Sequence, residues 1–392
     1  MPDGRSGPHL LGQSPLISPF QDPADELPFA GRSLRAFRRE EVRASGIDSA
    51  RVHFARHAIA TAPVLAELAR RAPRGRPSRL ALPAASPARS LAPLSSIERS
   101  KEQLLYDVFL DLPEGTDLEA ARRIAEPTRV ELPFETRRRE LARIGPPPHH
   151  LDLPSDGSIA AHVEHWVHVL WLAPLLVPRA IAMREGRLRK EHHLPPSRIA
   201  RSARVHPTAH LEGSYVGENV RIGAFASLRH TYVGRDSFVS DFTKLSGSVL
   251  GDGTHTLADA SLVSVVSLGQ STLASLGLKD TLLGRSVFLT SGVIFWSESL
   301  DGTITAEKDG LEVDTETKVL GGCAGHLCVL GARTIIGPGR ALPNRTTVVM
   351  RKEEGVFKIP KLPLGTPTCW HDGALVPYGE LRAGEIPEEL EA

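Results

Sequence analysis

Two histidines stand where a side chain could take up a proton. His326 lies in GGCAGHLC and His255 in GDGTH, each beside a glycine-rich turn. An imidazole held at such a surface can act as a general base toward a hydroxyl or an amine. The plainer role for each is a wall residue hydrogen-bonded to backbone. His206 and His210, in VHPTAH, are four apart. That spacing shares a face on a helix but not on an extended strand, so no metal pair is expected. His192 and His193 fall in a charged stretch, KEHH. The three cysteines, Cys323, Cys328 and Cys369, make neither a disulfide framework nor a zinc pattern. No metal ligands are assigned.

The element that must position both histidines is a repeat of about 17 residues. Its lines begin at Val216, Val233 and Leu250, each an aliphatic residue followed by glycine. Within them Val216, Ile222, Leu228, Val233, Val239 and Leu245 recur in steps of six, six and five. A hexapeptide period predicts a left-handed parallel β-helix of about seven coils, its aliphatic residues inward. Gly217, Gly234 and Gly251 are read as corner glycines. The repeat loosens after Leu268, returns at Leu282, and is broken by an insertion, Ser297 to Lys318, expected to protrude as a hairpin or loop. Strict spacing resumes at Leu330, Ile336, Leu342 and Val348.

Ahead of the repeat the pattern is mixed α/β. Helices are expected over Ser33–Ile47, Ala60–Ala72 and Asp117–Glu126, and buried strands over Arg79–Ala84 and Tyr106–Leu112. The chain divides into a flexible N-terminus (1–22), an α/β domain (23–150), a linker with a linking helix (151–198), the β-helix (199–350) and an extended tail (351–392). The apolar stretch His165 to Met183 is interrupted by Pro174 and Pro178 and reads as a buried helix with a bend rather than a membrane span. A net charge of +1 over 392 residues gives no field for nucleic acid or an anionic membrane. A cytoplasmic protein is expected, since no leader pattern is evident.

The stretch from Leu282 to Asn344 resembles the C-terminal domain of bifunctional sugar-1-phosphate nucleotidylyltransferases that carry an acyltransferase β-helix. The residues are SGVIFW, then SLDGTITAEKDGLEVDTETKVLGG, then AGHLCVLGARTIIGPGRALPN. The family shows a coil, a DG-bearing insertion, a DTG-like turn and further glycine-punctuated coils in the same order. It also places an α/β domain and a Trp- and Leu-rich linking helix before the β-helix, as HWVHVLW stands here. The resemblance implies a nucleotidyltransferase-like N-terminal domain using Mg2+, acyl-CoA as donor if the β-helix transfers an acyl group, a sugar phosphate or sugar nucleotide as small-molecule partner, and a homotrimer. It places Lys318 where the family approaches the cofactor's phosphates, with Gly322 and Ala332 as further cofactor-binding positions.

Two departures qualify it. The family's GxGxRxxPLT phosphate loop is absent; the nearest text is PLISPFQDPADELPFAGRSL. Where the family's acyltransferase histidine should fall, this chain has Ala274, preceded by Leu273. The expected function is a sugar-nucleotide-type transferase in polysaccharide or cell-envelope precursor metabolism. The alternatives are a catalytically inactive relative that binds a sugar nucleotide or serves as a scaffold, and an acyl-CoA-dependent acyltransferase using His326 or His255.

Overall fold

Steps of six put every aliphatic repeat residue inside a parallel β-helix. The computed structural model describes residues 7–131, 136–140, 150–154, 157–184, 197–351, 368–371 and 374–377. Two faces of the helix each stack eight strands, from Arg198–Ile199 to Ala341–Leu342 and from Arg204–Val205 to Thr347–Val348. The third stacks five, from His210–Glu212 to Gly277–Lys279, and Ile294–Phe295 pairs with Ile335–Ile336 beyond it. All these pairings are parallel and in register, Val216 on Val233 and Val233 on Leu250. Val216, Ile222, Leu228, Val233, Val239 and Leu245 are all buried. Each such side chain contributes roughly 1.5–3 kcal/mol by leaving water.

Glycine is needed where coils meet. A Cβ on Gly234 would lie 2.5 Å from the Asp252 nitrogen, closer than two such atoms can stand. Buried hydroxyls in the wall satisfy backbone of the next coil: Thr231 N donates to Ser214 Oγ at 3.1 Å and Thr254 N to Ser237 Oγ at 3.1 Å. Without them those N–H groups would be buried and unpaired.

The first face is apolar on both sides. Side chains alternate along a strand, so Tyr232, Val249, Val266, Leu282 and Cys323 point outward, yet all are buried. They share one core with helix α4 (Trp166–Leu175) and helix α5 (Val177–Arg184). The apolar stretch therefore forms two short helices meeting at Leu176. No helix among the described residues is long and apolar enough to cross a membrane.

The N-terminal domain is built on a mixed sheet in the order His9–Leu11, Val52–Ala55, Gln103–Leu110, Ser78–Pro83, Glu126–Arg129. Gln103–Leu110 runs antiparallel to both neighbours, and the two outer pairs are parallel. Three helices flank the sheet: α1 (Leu34–Ser45), α2 (Ala62–Arg71) and α3 (Leu118–Ile124). Ser33 caps the first through its side chain, and Gly46 ends it in the left-handed conformation.

Three expectations change. Residues 7–22 are folded rather than flexible, because Ile17 and Phe20 are buried in the core shared with α4. The strand Ala160–His162 lies in the stretch assigned to the linker, but it pairs with Ala58–Ala60 of the N-terminal domain. The insertion does contain a hairpin, Thr305–Lys308 with Leu311–Asp314. It is held down rather than free, since Ile304 and Ala306 join the α4 core. In the tail, Thr368–His371 and Ala374–Pro377 pair as a hairpin; the rest of the expected strap lies outside the described residues, as do His192 and His193.

Candidate functional site

His255 is carried outward on the second face, where strand His255–Thr256 buries Thr256 and exposes the imidazole. Phe238 precedes it in register, Thr272 follows, and Phe288 comes next. Phe238 and Phe288 are exposed, 41% and 43%. The stacked rings of Phe225 and Phe242, 5.2 Å apart, are exposed at the corner beyond. The face thus presents one imidazole among large apolar groups, which suits a general base beside a surface for an apolar or flat substrate.

His326 is placed differently. Its Nδ1 accepts from the Arg285 backbone N–H at 2.8 Å, so that nitrogen carries no proton. Its Nε2 lies 3.3 Å from Asp22 Oδ2, and Arg285 Nη1 donates to the same oxygen at 2.7 Å. Phe20 covers the ring at 5.1 Å. Both ring nitrogens are engaged within the protein, and the residue fastens the N-terminal segment to the β-helix. Burial raises the Asp22 carboxyl, but the hydrogen bonds and charges of His326 and Arg285 outweigh it and hold the group below its usual range.

Lys318, Gly322 and Ala332 take three different places. Lys318 is half-buried at the end of the insertion, where its carbonyl accepts from Ser299. Gly322 is buried, and a Cβ there would meet Phe295 Cδ1 at 2.8 Å, so packing accounts for the glycine. Ala332 is exposed in the turn after Val329–Leu330.

The phosphate-loop neighbourhood is closed by packing. Within PLISPFQDPADELPFAGRSL, Ile17, Leu27, Phe29 and Leu34 are fully buried, and Asp22 is spent on Arg285 and His326. The segment serves as core, and offers no open loop of backbone N–H groups to a triphosphate.

A buried polar cluster in the N-terminal domain escaped the sequence reading. Pairing of Ala160–His162 with Ala58–Ala60 sets His162 beside His57, above Asp107 of the central strand. His57 Nε2 lies 3.2 Å from Asp107 Oδ2 and 3.4 Å from Glu164 Oε1; His162 Nδ1 lies 3.4 Å from that same Glu164 oxygen. Arg79 and Arg122 hold Asp107 at 2.8 and 2.5 Å. Lys308, from the insertion hairpin, reaches Leu94 O at 2.7 Å and Glu164 Oε2 at 3.4 Å. Burial raises both Asp107 and Glu164, but their hydrogen-bonded and charged partners drive each far below its usual range.

His57, His162 and Glu164 are close enough to hold a metal ion by distance alone, their donor atoms lying within 4.8 Å of one another. The hydrogen bonding argues otherwise. The Asp107 backbone N–H donates to His162 Nε2 at 2.9 Å, so the neutral ring carries its proton on Nδ1, toward Glu164. A metal at Nδ1 would require an imidazolate. Burial favours the neutral ring by lowering the His162 pKa. The cluster is a satisfied network that clamps hairpin to domain. His57, Asp107 and the His162–Glu164 pair lie 50 residues or more from one another in sequence, so no spacing announces them.

No protein-family model and no curated protein matches the chain. Solved structures similar to it include a mutant GDP-perosamine N-acetyl transferase from Caulobacter crescentus in complex with CoA and GDP-perosamine, at 18% identity over 44% of this chain, TM-score 0.18. The chain spans 63% of that protein's length. Others are the acetyltransferase domain of PglB from Neisseria gonorrhoeae, 18% identical over 39% of this chain and 79% of that one, TM-score 0.22, and the polysialic acid O-acetyltransferase OatWY, 17% identical over 40% of this chain and 79% of that one, TM-score 0.15. The parallel β-helix itself rests on the strand pairing of this chain.

Proposed function

We propose that the chain is an acyltransferase acting on a hydroxyl or amine of a sugar-linked acceptor, with His255 as general base and acyl-CoA as donor substrate. The observation that carries this is the exposed His255 imidazole on a β-helix face that also exposes Phe238 one coil before it and Phe288 two coils after it. On this reading His255 takes the acceptor proton as the acceptor attacks the thioester carbonyl, and the thiolate of CoA leaves with a proton from the medium. A homotrimer would cover the exposed apolar groups of this face and set a second copy against the donor. Nucleotidyl transfer is the weaker reading, because the segment that would hold the phosphates is packed as core. The test is release of free CoA thiol from acetyl-CoA in the presence of a panel of sugar nucleotides. His255→Ala should abolish acceptor-dependent release, and His326→Ala should lower it only through stability.

A second reading is favoured by Ala274 and by the engaged nitrogens of His326: a relative that binds a sugar nucleotide without turnover. Saturable binding with no thiol release and no pyrophosphate release across the panel would select it.

A further inference from the structure

A second basic site lies in the N-terminal domain, away from His255 in sequence and chemistry. Arg35 and Arg38 are three residues apart on one face of the helix Leu34–Ser45. Arg56 follows the strand Val52–Ala55. Asp25 accepts on one oxygen, Oδ2, from Arg35 Nη2 and from Arg56 Nη1, both at 3.1 Å, and its backbone N–H donates to Ser14 Oγ at 3.1 Å. Arg38 is fully buried. It donates from Nη2 to the Arg56 carbonyl at 2.6 Å and lies 6.0 Å over the Phe54 ring. Among the described residues its Nε and Nη1 have no hydrogen-bond partner, nor has Arg35 Nε.

A guanidinium carries five N–H donors and stays charged, so a buried one is ordinarily surrounded by acceptors. Burial lowers Arg38 to about 10, with Asp25 opposing and Arg56 and Arg35 adding to the fall, which still leaves it cationic near neutral pH. Three guanidiniums against the single carboxylate leave two positive charges among them. Donors pointing to no acceptor and a surplus of two charges together fit a dianion with several oxygens, and Arg forks match that geometry.

We propose that Arg38, Arg35 and Arg56 bind a phosphoryl dianion, with Asp25 holding the two outer guanidiniums in place. The proposal is independent of acyl transfer at His255. It is tested on the full chain by thermal denaturation against inorganic phosphate and, separately, against uridine diphosphate, with chloride at equal ionic strength as control. A saturable rise in Tm of roughly 2–4 °C is expected at ligand well above Kd, and it should vanish in Arg38→Met. Tighter binding of the nucleotide assigns a nucleotide phosphate; equal or tighter binding of inorganic phosphate assigns the free anion. Should Arg38→Met not fold, Arg35→Gln, with a side chain 43% exposed, must weaken the apparent affinity about tenfold, as loss of one charged hydrogen bond does. No rise beyond chloride, or an equal rise in the variants, overturns the proposal.

Discussion

His326 Nε2 lies 3.3 Å from Asp22 Oδ2, across an intramolecular joint between the N-terminal segment and the coil that follows the insertion. Arg285 donates to the same oxygen, and Asn344 donates to the Phe20 carbonyl at 3.0 Å. The joint is thus one carboxylate serving two donors. Asp22→Asn removes its charge and should cost roughly 1–3 kcal/mol near neutral pH. Because the folded carboxyl titrates below its ordinary 3.8, its contribution is present above that value and is lost as pH falls through the folded one. Urea denaturation of Asp22→Asn should therefore show a shallower loss of stability in acid than the parent. An unchanged acid limb would remove Asp22 from the account.

Glu41 and Arg179 form a second, buried joint. Arg179 Nε donates to Glu41 Oε1 at 2.7 Å, and Ala62 N donates to Oε2 at 2.6 Å. Removing one partner strands the other charge in the interior. Arg179→Met is expected to cost about 3–5 kcal/mol, and the double variant Glu41→Gln with Arg179→Met less than that. Chemical denaturation of the set checks the order; a double variant worse than the single would contradict it.

The two histidines at the start of α4, His165 at its N-cap and His168 in its first turn, should make the chain acid-sensitive well above the carboxylate range. Burial lowers His168 from 6.5 to about 3 and His165 from 6.5 to about 4. The unfolded chain takes up these protons near 6.5 and the folded chain only far lower, so stability is intact above 6.5 and declines as pH falls below it. His168→Gln should be less stable at neutral pH, because His168 Nε2 meets the Pro93 carbonyl at 2.7 Å. It should also lose less on going from neutral to mildly acid pH, as read by Tm against pH.

Much of the β-helix is legible in the sequence because its period is a packing rule. Val216, Ile222, Leu228, Val233, Val239 and Leu245 face inward by spacing alone and are buried. The outward row Tyr232, Val249, Val266 and Leu282 is equally apolar, and its meaning depends on which element covers it. The period does not say that, but the apolar run His165 to Met183 was the available hint. Residues 7–22 read as loose because proline, glycine and serine dominate them, whereas Ile17 and Phe20 anchor them in the core. The His57, Asp107, His162 and Glu164 network was illegible because strand pairing, not spacing, assembles it. His255 and His326 stand alike in sequence, each beside a glycine-rich turn. What separates them is the Asp22 and Arg285 pair closing on His326, a contact made across more than 260 residues.

The most direct measurement is CoA thiol release from acetyl-CoA, with and without each of a panel of sugar nucleotides, for the parent chain and for His255→Ala. Acceptor-dependent release by the parent and a loss of about 100-fold or more in the variant is expected, the ordinary scale of a general base. Acceptor-dependent release that survives in His255→Ala, with Tm unchanged, would contradict the assignment of this face as the site of acyl transfer.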